Sequence, residues 1–170
     1  MKRTVQLGDA TLTFVGQEAQ LGQQLELKGA KAGDFAQSLA TRIHDYAVLA
    51  VFPSSNTSVC DMQILELSKI SETYPNFDYI TFSVDLPSAL ADYKNLHPTG
   101  KVELYSDYYN HYVAKQLGLL IEEIHLMGRA MFILDKENKI IYKQINSQVK
   151  EQVDFASLKN ELEKLSNLTK

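Results

Sequence analysis

Two long apolar runs organise the chain. Tyr46-Ala-Val-Leu-Ala-Val-Phe52 is a continuous apolar run, and Phe77 to Val84 repeats the buried-strand pattern with Tyr79, Ile80, Phe82 and Val84. Runs of this length without alternation read as strands covered on both faces. Between them, residues from about Val59 to Ser71 carry Cys60, Ile64 and Leu67 at helical spacing, which predicts an amphipathic helix starting just after a polar loop. After the second run, Ser88 to Asn95 reads as a helix and Pro98-Thr99-Gly100 as a turn. Val102 to Tyr105 reads as a short strand, and Tyr109 to Leu117 as a helix closed by Gly118. Ala130–Leu134 and Lys139–Ile145 flank Asp135-Lys-Glu-Asn138, the pattern of a hairpin. A stripe of Phe155, Leu158, Leu162 and Leu165 predicts a closing amphipathic helix. Ahead of the first run, Val5–Leu7 and Thr11–Val15 bracket the turn dipeptide Gly8-Asp9, predicting an opening hairpin. Leu25 and Leu27 alternate with polar neighbours in an extended stretch. Asp34 is placed to cap a short helix through Leu39, with Phe35 and Leu39 on one face.

Strands and helices that alternate, then end in an antiparallel pair, predict an α/β fold: a three-layer α/β/α sandwich with a mixed central sheet, preceded by a β-hairpin. No linker, repeat or low-complexity stretch divides the chain, so residues 1–170 read as one domain. A net charge of −4 and the lack of basic clusters argue against a nucleic-acid partner. The apolar runs are strand-sized, too short to cross a bilayer, and no apolar segment follows the basic residues near the N-terminus. These features predict no membrane association. A single cysteine cannot form an internal disulfide and suits a reducing cytoplasm. His44, His97, His111 and His125 lack metal-site spacing, and no phosphate loop or nucleophile elbow is present, so neither metal nor cofactor is expected.

What chemistry remains lies at Phe52-Pro53-Ser54-Ser55-Asn56-Thr57-Ser58-Val59-Cys60. This segment sets a cysteine in the first turn of a helix behind a buried strand, at the strand end where open α/β sheets place their sites. Unpaired N–H groups and the helix dipole at that end favour a thiolate over a thiol. Asp61 lies next door and opposes it, so a nearby cation would help. Ser58 and Asp61 have the spacing of a capping box. Position alone leaves two readings of Cys60 open, a nucleophile or a small buried hydrophobe. It also leaves Pro53 as a strand terminator, Thr57 as a helix cap and Arg129 as a surface residue.

Pro53, Thr57 and Cys60 match the Pro-x-x-x-Thr/Ser-x-x-Cys signature, and the segment resembles the peroxiredoxins, in particular their bacterial thiol peroxidase branch. Ser83-Val84-Asp85-Leu86-Pro87 is similar to that branch's Ser-x-Asp-Leu-Pro, and Arg129-Ala130 to its Arg-Ala strand start. The resemblance runs from about residue 45 to the C-terminus and implies a thioredoxin-like fold. It implies that Cys60 is the peroxidatic nucleophile, attacking a peroxide oxygen as thiolate and becoming a sulfenic acid. Thr57 would hydrogen-bond the thiolate and orient the peroxide, and Arg129 would supply the cation. Pro53 would shape the loop and shield the sulfur from water.

Members of the branch carry a resolving cysteine on the helix after Asp-Leu-Pro; Lys94 stands there, and no other cysteine exists. The resemblance therefore implies one-cysteine chemistry, in which an external thiol, thioredoxin or a small thiol, reduces the sulfenic acid. The alternative is a diverged redox sensor or thiol-regulated binding protein that oxidises without turning over. The branch's homodimers imply a homodimer here, for which Tyr105, Tyr108, Tyr109 and Tyr112 are candidate interface anchors.

Overall fold

The computed structural model describes residues 2–55 and 58–168. In chain order its elements are β1 (Arg3–Leu7), β2 (Ala10–Phe14), β3 (Lys28–Lys31), β4 (Gln37–Leu39), β5 (Tyr46–Val51), α1 (Ser58–Thr73) and β6 (Phe77–Ser83). There follow α2 (Pro87–Leu96), β7 (Val102–Ser106), α3 (Tyr112–Leu117), β8 (Ala130–Leu134), β9 (Ile140–Ile145) and α4 (Phe155–Leu168). Strands β1 and β2 form a separate hairpin in which Leu7 pairs with Ala10, so Gly8-Asp9 is the two-residue turn the sequence predicts. Gly8 adopts φ +62°, the left-handed conformation such a turn requires.

The other strands make a seven-stranded mixed sheet in the order β4-β3-β7-β6-β5-β8-β9. Its centre is parallel, β5 to β6 and β6 to β7, and its flanks are antiparallel. All seven residues of β6 are buried, the polar Asp78, Thr81 and Ser83 with the apolar ones, as befits a strand covered on both faces. Strand β5 sends Ala47, Leu49 and Val51 to one face, packed with the hairpin residues Val5 and Phe14 and with Val113, Ala114 and Leu117 of α3. Val48, Ala50 and Phe52 go to the other face, against α1 (Ile64, Leu67), α2 (Leu90, Tyr93) and α4 (Leu158, Leu162). This is the expected three-layer α/β/α sandwich.

One expected element is replaced. The stretch from Asp34 to Leu39 is not a helix: β4 pairs antiparallel with β3 through Lys28↔Leu39, Gly29↔Ser38 and Ala30↔Gln37. Asp34 does use its side chain as a cap, but its Oδ1 accepts the Ala36 amide at 2.9 Å in the turn between the two strands. An Asx turn and a helix N-cap begin with the same bond, and strand pairing decides between them. Phe35 and Leu39 are exposed, so no helical face is buried there. Helix α3 also starts three residues later than its apolar spacing suggests. Asp107 accepts the Val113 and Ala114 amides at 3.0 and 2.8 Å, and His111 sits ahead of them at φ 53°.

Candidate active site

Cys60 is the third residue of α1, the helix that follows the central strand β5. Its side chain is fully buried and belongs to the core cluster with Phe52, Ile64 and Met131. It nonetheless faces a cation. Arg129 Nη2 donates to Cys60 Sγ at 3.1 Å across 69 residues of sequence. Sheet register brings them together: β5 and β8 run antiparallel with Val51 opposite Ala130, so Arg129 lies one step beyond that pair, where β5 hands over to the active-site loop. Arg129 is not the surface residue that position alone allows; it is 2% exposed.

The guanidinium is held from three sides. Its Nε donates to the Val149 carbonyl at 2.8 Å and its Nη1 to Gln63 Oε1 at 2.8 Å, while Nη2 takes the sulfur. Of these three acceptors only Cys60 can carry a charge. A buried cation without a counter-ion is costly, and the sulfur is the one group in this cluster placed to serve as one. The helix start adds in the same sense, because its orphan amides and dipole favour an anion in the first turn. Asp61, which would oppose a thiolate, is engaged elsewhere: its Oδ1 accepts a hydrogen bond from the Tyr93 hydroxyl on α2. Ser58 is the first residue of α1.

Pro53 is buried just past the end of β5. Thr57 lies outside the described residues. The loop between them is anchored by Asp85, at the end of the neighbouring strand β6. Asp85 Oδ1 accepts Ser54 Oγ at 2.6 Å, and its Oδ2 accepts the Ser55 amide at 2.8 Å and Ser83 Oγ at 2.7 Å. The Asp-Leu-Pro segment therefore fastens the loop that precedes the cysteine.

The structure brings Cys60 and Arg129 together, and beside them Gln63, Tyr93 and Asp85, to which the sequence alone assigns no role. Gln63 is fully buried and donates through Nε2 to Met131 Sδ at 3.2 Å while its Oε1 receives Arg129. Its spacing of three from Cys60 puts it on the same helical face, and a polar residue on that face was the available signal. Tyr105 is buried and stacked on Phe82 at 5.3 Å, so it packs the core, whereas Tyr109 is 70% exposed. Among the described residues no group of three or more His, Cys, Asp or Glu side chains could hold a metal ion. No described helix is long and apolar enough to cross a membrane.

A lone helix-start thiol gripped by a buried guanidinium makes this a thiol-redox centre in a thioredoxin-like frame. The AhpC/TSA family model matches residues 15–143, and the chain belongs to that family, in the thiol peroxidase branch of the bacterial peroxiredoxins. Over 152 residues it is 32% identical to a thiol peroxidase of Streptococcus parasanguinis, covering 85% of this chain and 88% of that one. A Bacillus subtilis thiol peroxidase is 30% identical over 145 residues, covering 81% and 83%. Among solved structures, a peroxiredoxin-like protein from Aquifex aeolicus superposes with a TM-score of 0.86 at 26% identity, covering 96% of this chain and 97% of that one.

Proposed function

We propose that this chain is a thiol-dependent peroxidase that reduces hydrogen peroxide or small alkyl hydroperoxides at Cys60. The contact of Arg129 with the Cys60 sulfur at 3.1 Å carries the reading. The Cys60 thiolate attacks one peroxide oxygen, an S–O bond forms as the O–O bond breaks, and the departing hydroxide or alkoxide leaves as water or alcohol after taking a proton. Arg129 stabilises the thiolate and the charge that moves onto the leaving oxygen. Pro53 limits water at the sulfur, and Thr57 hydrogen-bonds the thiolate and orients the peroxide; the Thr57 role rests on the family signature.

With one cysteine in the chain, the sulfenic acid is reduced from outside. A first thiol displaces water to give a mixed disulfide on Cys60, and a second thiol releases Cys60 and leaves as the disulfide. Lys94, where a resolving cysteine would stand, is exposed and lies 3.9 Å from Glu103, so this part of α2 has a surface role. The reading extends to one domain over residues 1–170, a reducing cytoplasmic setting and a homodimer in which the exposed Tyr109 is an anchor. Peroxide consumption with thioredoxin, glutathione or bacillithiol supplied separately tests the proposal. Turnover with at least one of them and a 1:1 loss of thiol with peroxide are expected. Cys60 reacting no faster than free cysteine would overturn it, and fast oxidation without turnover would instead favour a sensor.

A further inference from the structure

Two of the four histidines are engaged by other groups. His44 Nδ1 lies 2.9 Å from Asp78 Oδ1, and His97 Nδ1 meets the Tyr93 carbonyl at 3.0 Å. The other two, His111 and His125, lie against each other, with ring centroids 5.9 Å apart and planes inclined at 56°. Both occupy left-handed backbone positions, at φ 53° and 55°. Among the described residues the one other non-glycine residue in that region is Asn138, a type that tolerates it.

Both positions are anchored. The His111 amide donates to the Asp107 carbonyl at 3.1 Å, and the His111 carbonyl accepts the Lys115 amide at 2.9 Å. His125 closes a tight loop: its amide donates to the Ile121 carbonyl and the Ile121 amide to the Leu126 carbonyl, both at 2.8 Å. The Glu122 amide fastens this loop to the opening hairpin through the Thr13 carbonyl at 2.8 Å. Two separately held turns thus present two imidazoles side by side, which lowers the ordering cost of a ligand shared between them.

The rings suit an electron-pair acceptor. Nδ1 of His111 is enclosed with no well-formed hydrogen bond, and the Asp107 carbonyl that could accept one already takes the His111 backbone amide. Burial, with the neighbouring His125 and Lys115, holds the His111 pKa below the ordinary histidine range, so its ring is neutral at pH 7 and keeps a nitrogen lone pair. His125 is exposed, and its ring has room to turn toward its neighbour. Two imidazole nitrogens each about 2 Å from one ion set their ring centroids roughly 5–6 Å apart, the separation found here. No third His, Cys, Asp or Glu joins them among the described residues, which leaves the remaining positions on an ion to water. Donors of this kind select Zn²⁺ or Cu²⁺ over Mg²⁺ and Ca²⁺.

We propose that His111 and His125 form a two-histidine site for a borderline divalent transition-metal ion, sharing no residue with the thiol site. Zn²⁺ is the probe, because it has no redox chemistry and leaves Cys60 reduced. Titrating the ¹⁵N-labelled full chain should shift the His111 and His125 imidazole resonances together, to saturation at one equivalent, while those of His44 and His97 move little. Asparagine accepts the left-handed backbone, so His111→Asn and His125→Asn should melt at the wild-type temperature without metal. Each should weaken Zn²⁺ binding at least about tenfold by calorimetry and abolish the response of the remaining histidine. Zn²⁺ should raise the melting temperature of wild type and of neither variant, and Mg²⁺ should raise none of them. The joint shift in wild type decides the matter even where a variant fails to fold. Zn²⁺ affinity kept within about threefold in either folded variant, or His111 and His125 resonances that move independently or not at all, overturns the site. Binding that is lost in Cys60→Ser places the ion on the thiol and overturns it as well.

Discussion

Replacing Arg129 with methionine isolates the electrostatic part of the site. Methionine approximates the length of the side chain but has neither charge nor donors, so the sulfur, the Val149 carbonyl and Gln63 Oε1 all lose their partner. A unit charge about 4 Å from a thiolate is worth about 4 kcal/mol at an effective dielectric of 20. Water entering the vacated space and the helix-start amides recover part of that, leaving a loss of about 3–4 kcal/mol, or ~10²–10³ in the rate of peroxide attack. Lysine keeps the charge but cannot present three donors in the geometry of the guanidinium fork, so Arg129→Lys should fall only about tenfold below wild type. Stability should move much less, since deleting a buried cation offsets the two orphaned acceptors, and a melting temperature within about 5 °C of wild type is expected for Arg129→Met. Competition for hydrogen peroxide against horseradish peroxidase at pH 7 gives the rate, and thermal unfolding establishes that each variant is folded. A folded Arg129→Met protein oxidising within threefold of wild type would refute the account of the thiolate.

Three further outcomes follow from the same geometry. Gln63→Leu leaves one arm of the guanidinium without its acceptor; it should slow oxidation of Cys60 about tenfold and cost about 1–3 kcal/mol in urea unfolding. Asp85→Ala removes the acceptor of Ser54, the Ser55 amide and Ser83, and should slow peroxide attack about tenfold while far-UV circular dichroism stays native, because the loop before the cysteine loses its anchor. Burial raises the Asp107 carboxyl to about 6 despite the amides of Ala114 and Val113 that bond it. The native state therefore binds this proton more tightly than the unfolded chain, whose carboxyl titrates near 3.9, so the contribution strengthens as pH falls through about 6 and is lost as pH rises above it. Relative to Asp107→Asn, wild type should gain about 1 kcal/mol of unfolding free energy between pH 7 and pH 5, read by chemical denaturation at each pH. A flat or opposite difference would show that Asp107 is solvated.

The parts of this molecule that were legible are those whose information is local. Continuous apolar character in β5, and the dense apolar positions of β6, report burial on both faces whatever the rest of the chain does, and a cysteine following a strand and a polar loop reports a helix start. The segment 34–39 was misread because its one strong signal, a carboxylate able to bond an amide two residues on, is common to helix caps and Asx turns. The deciding fact, pairing of Gln37–Leu39 with Lys28–Ala30, depends on β3 finding β7 at the sheet's far side. The site divides the same way. Arg129 was legible only because a family motif marks it; nothing within ten residues explains a buried cation there.

Asp85, Gln63 and Tyr93 carry no comparable mark, because each acts through a partner 30, 66 or 32 positions away and the choice of partner is made by the sheet and the helix packing. Asp85 reaches Ser55 only because β5 and β6 are parallel neighbours whose ends coincide. Tyr93 reaches Asp61 only because α1 and α2 pack on the same face of the sheet. A lone cysteine in a buried first turn is chemically ambiguous when read by itself. What removes the ambiguity is the guanidinium whose other acceptors are all neutral. The sulfur is the one acceptor of the three able to carry a negative charge, and the chemistry follows from that placement more directly than from the cysteine's own position in the chain.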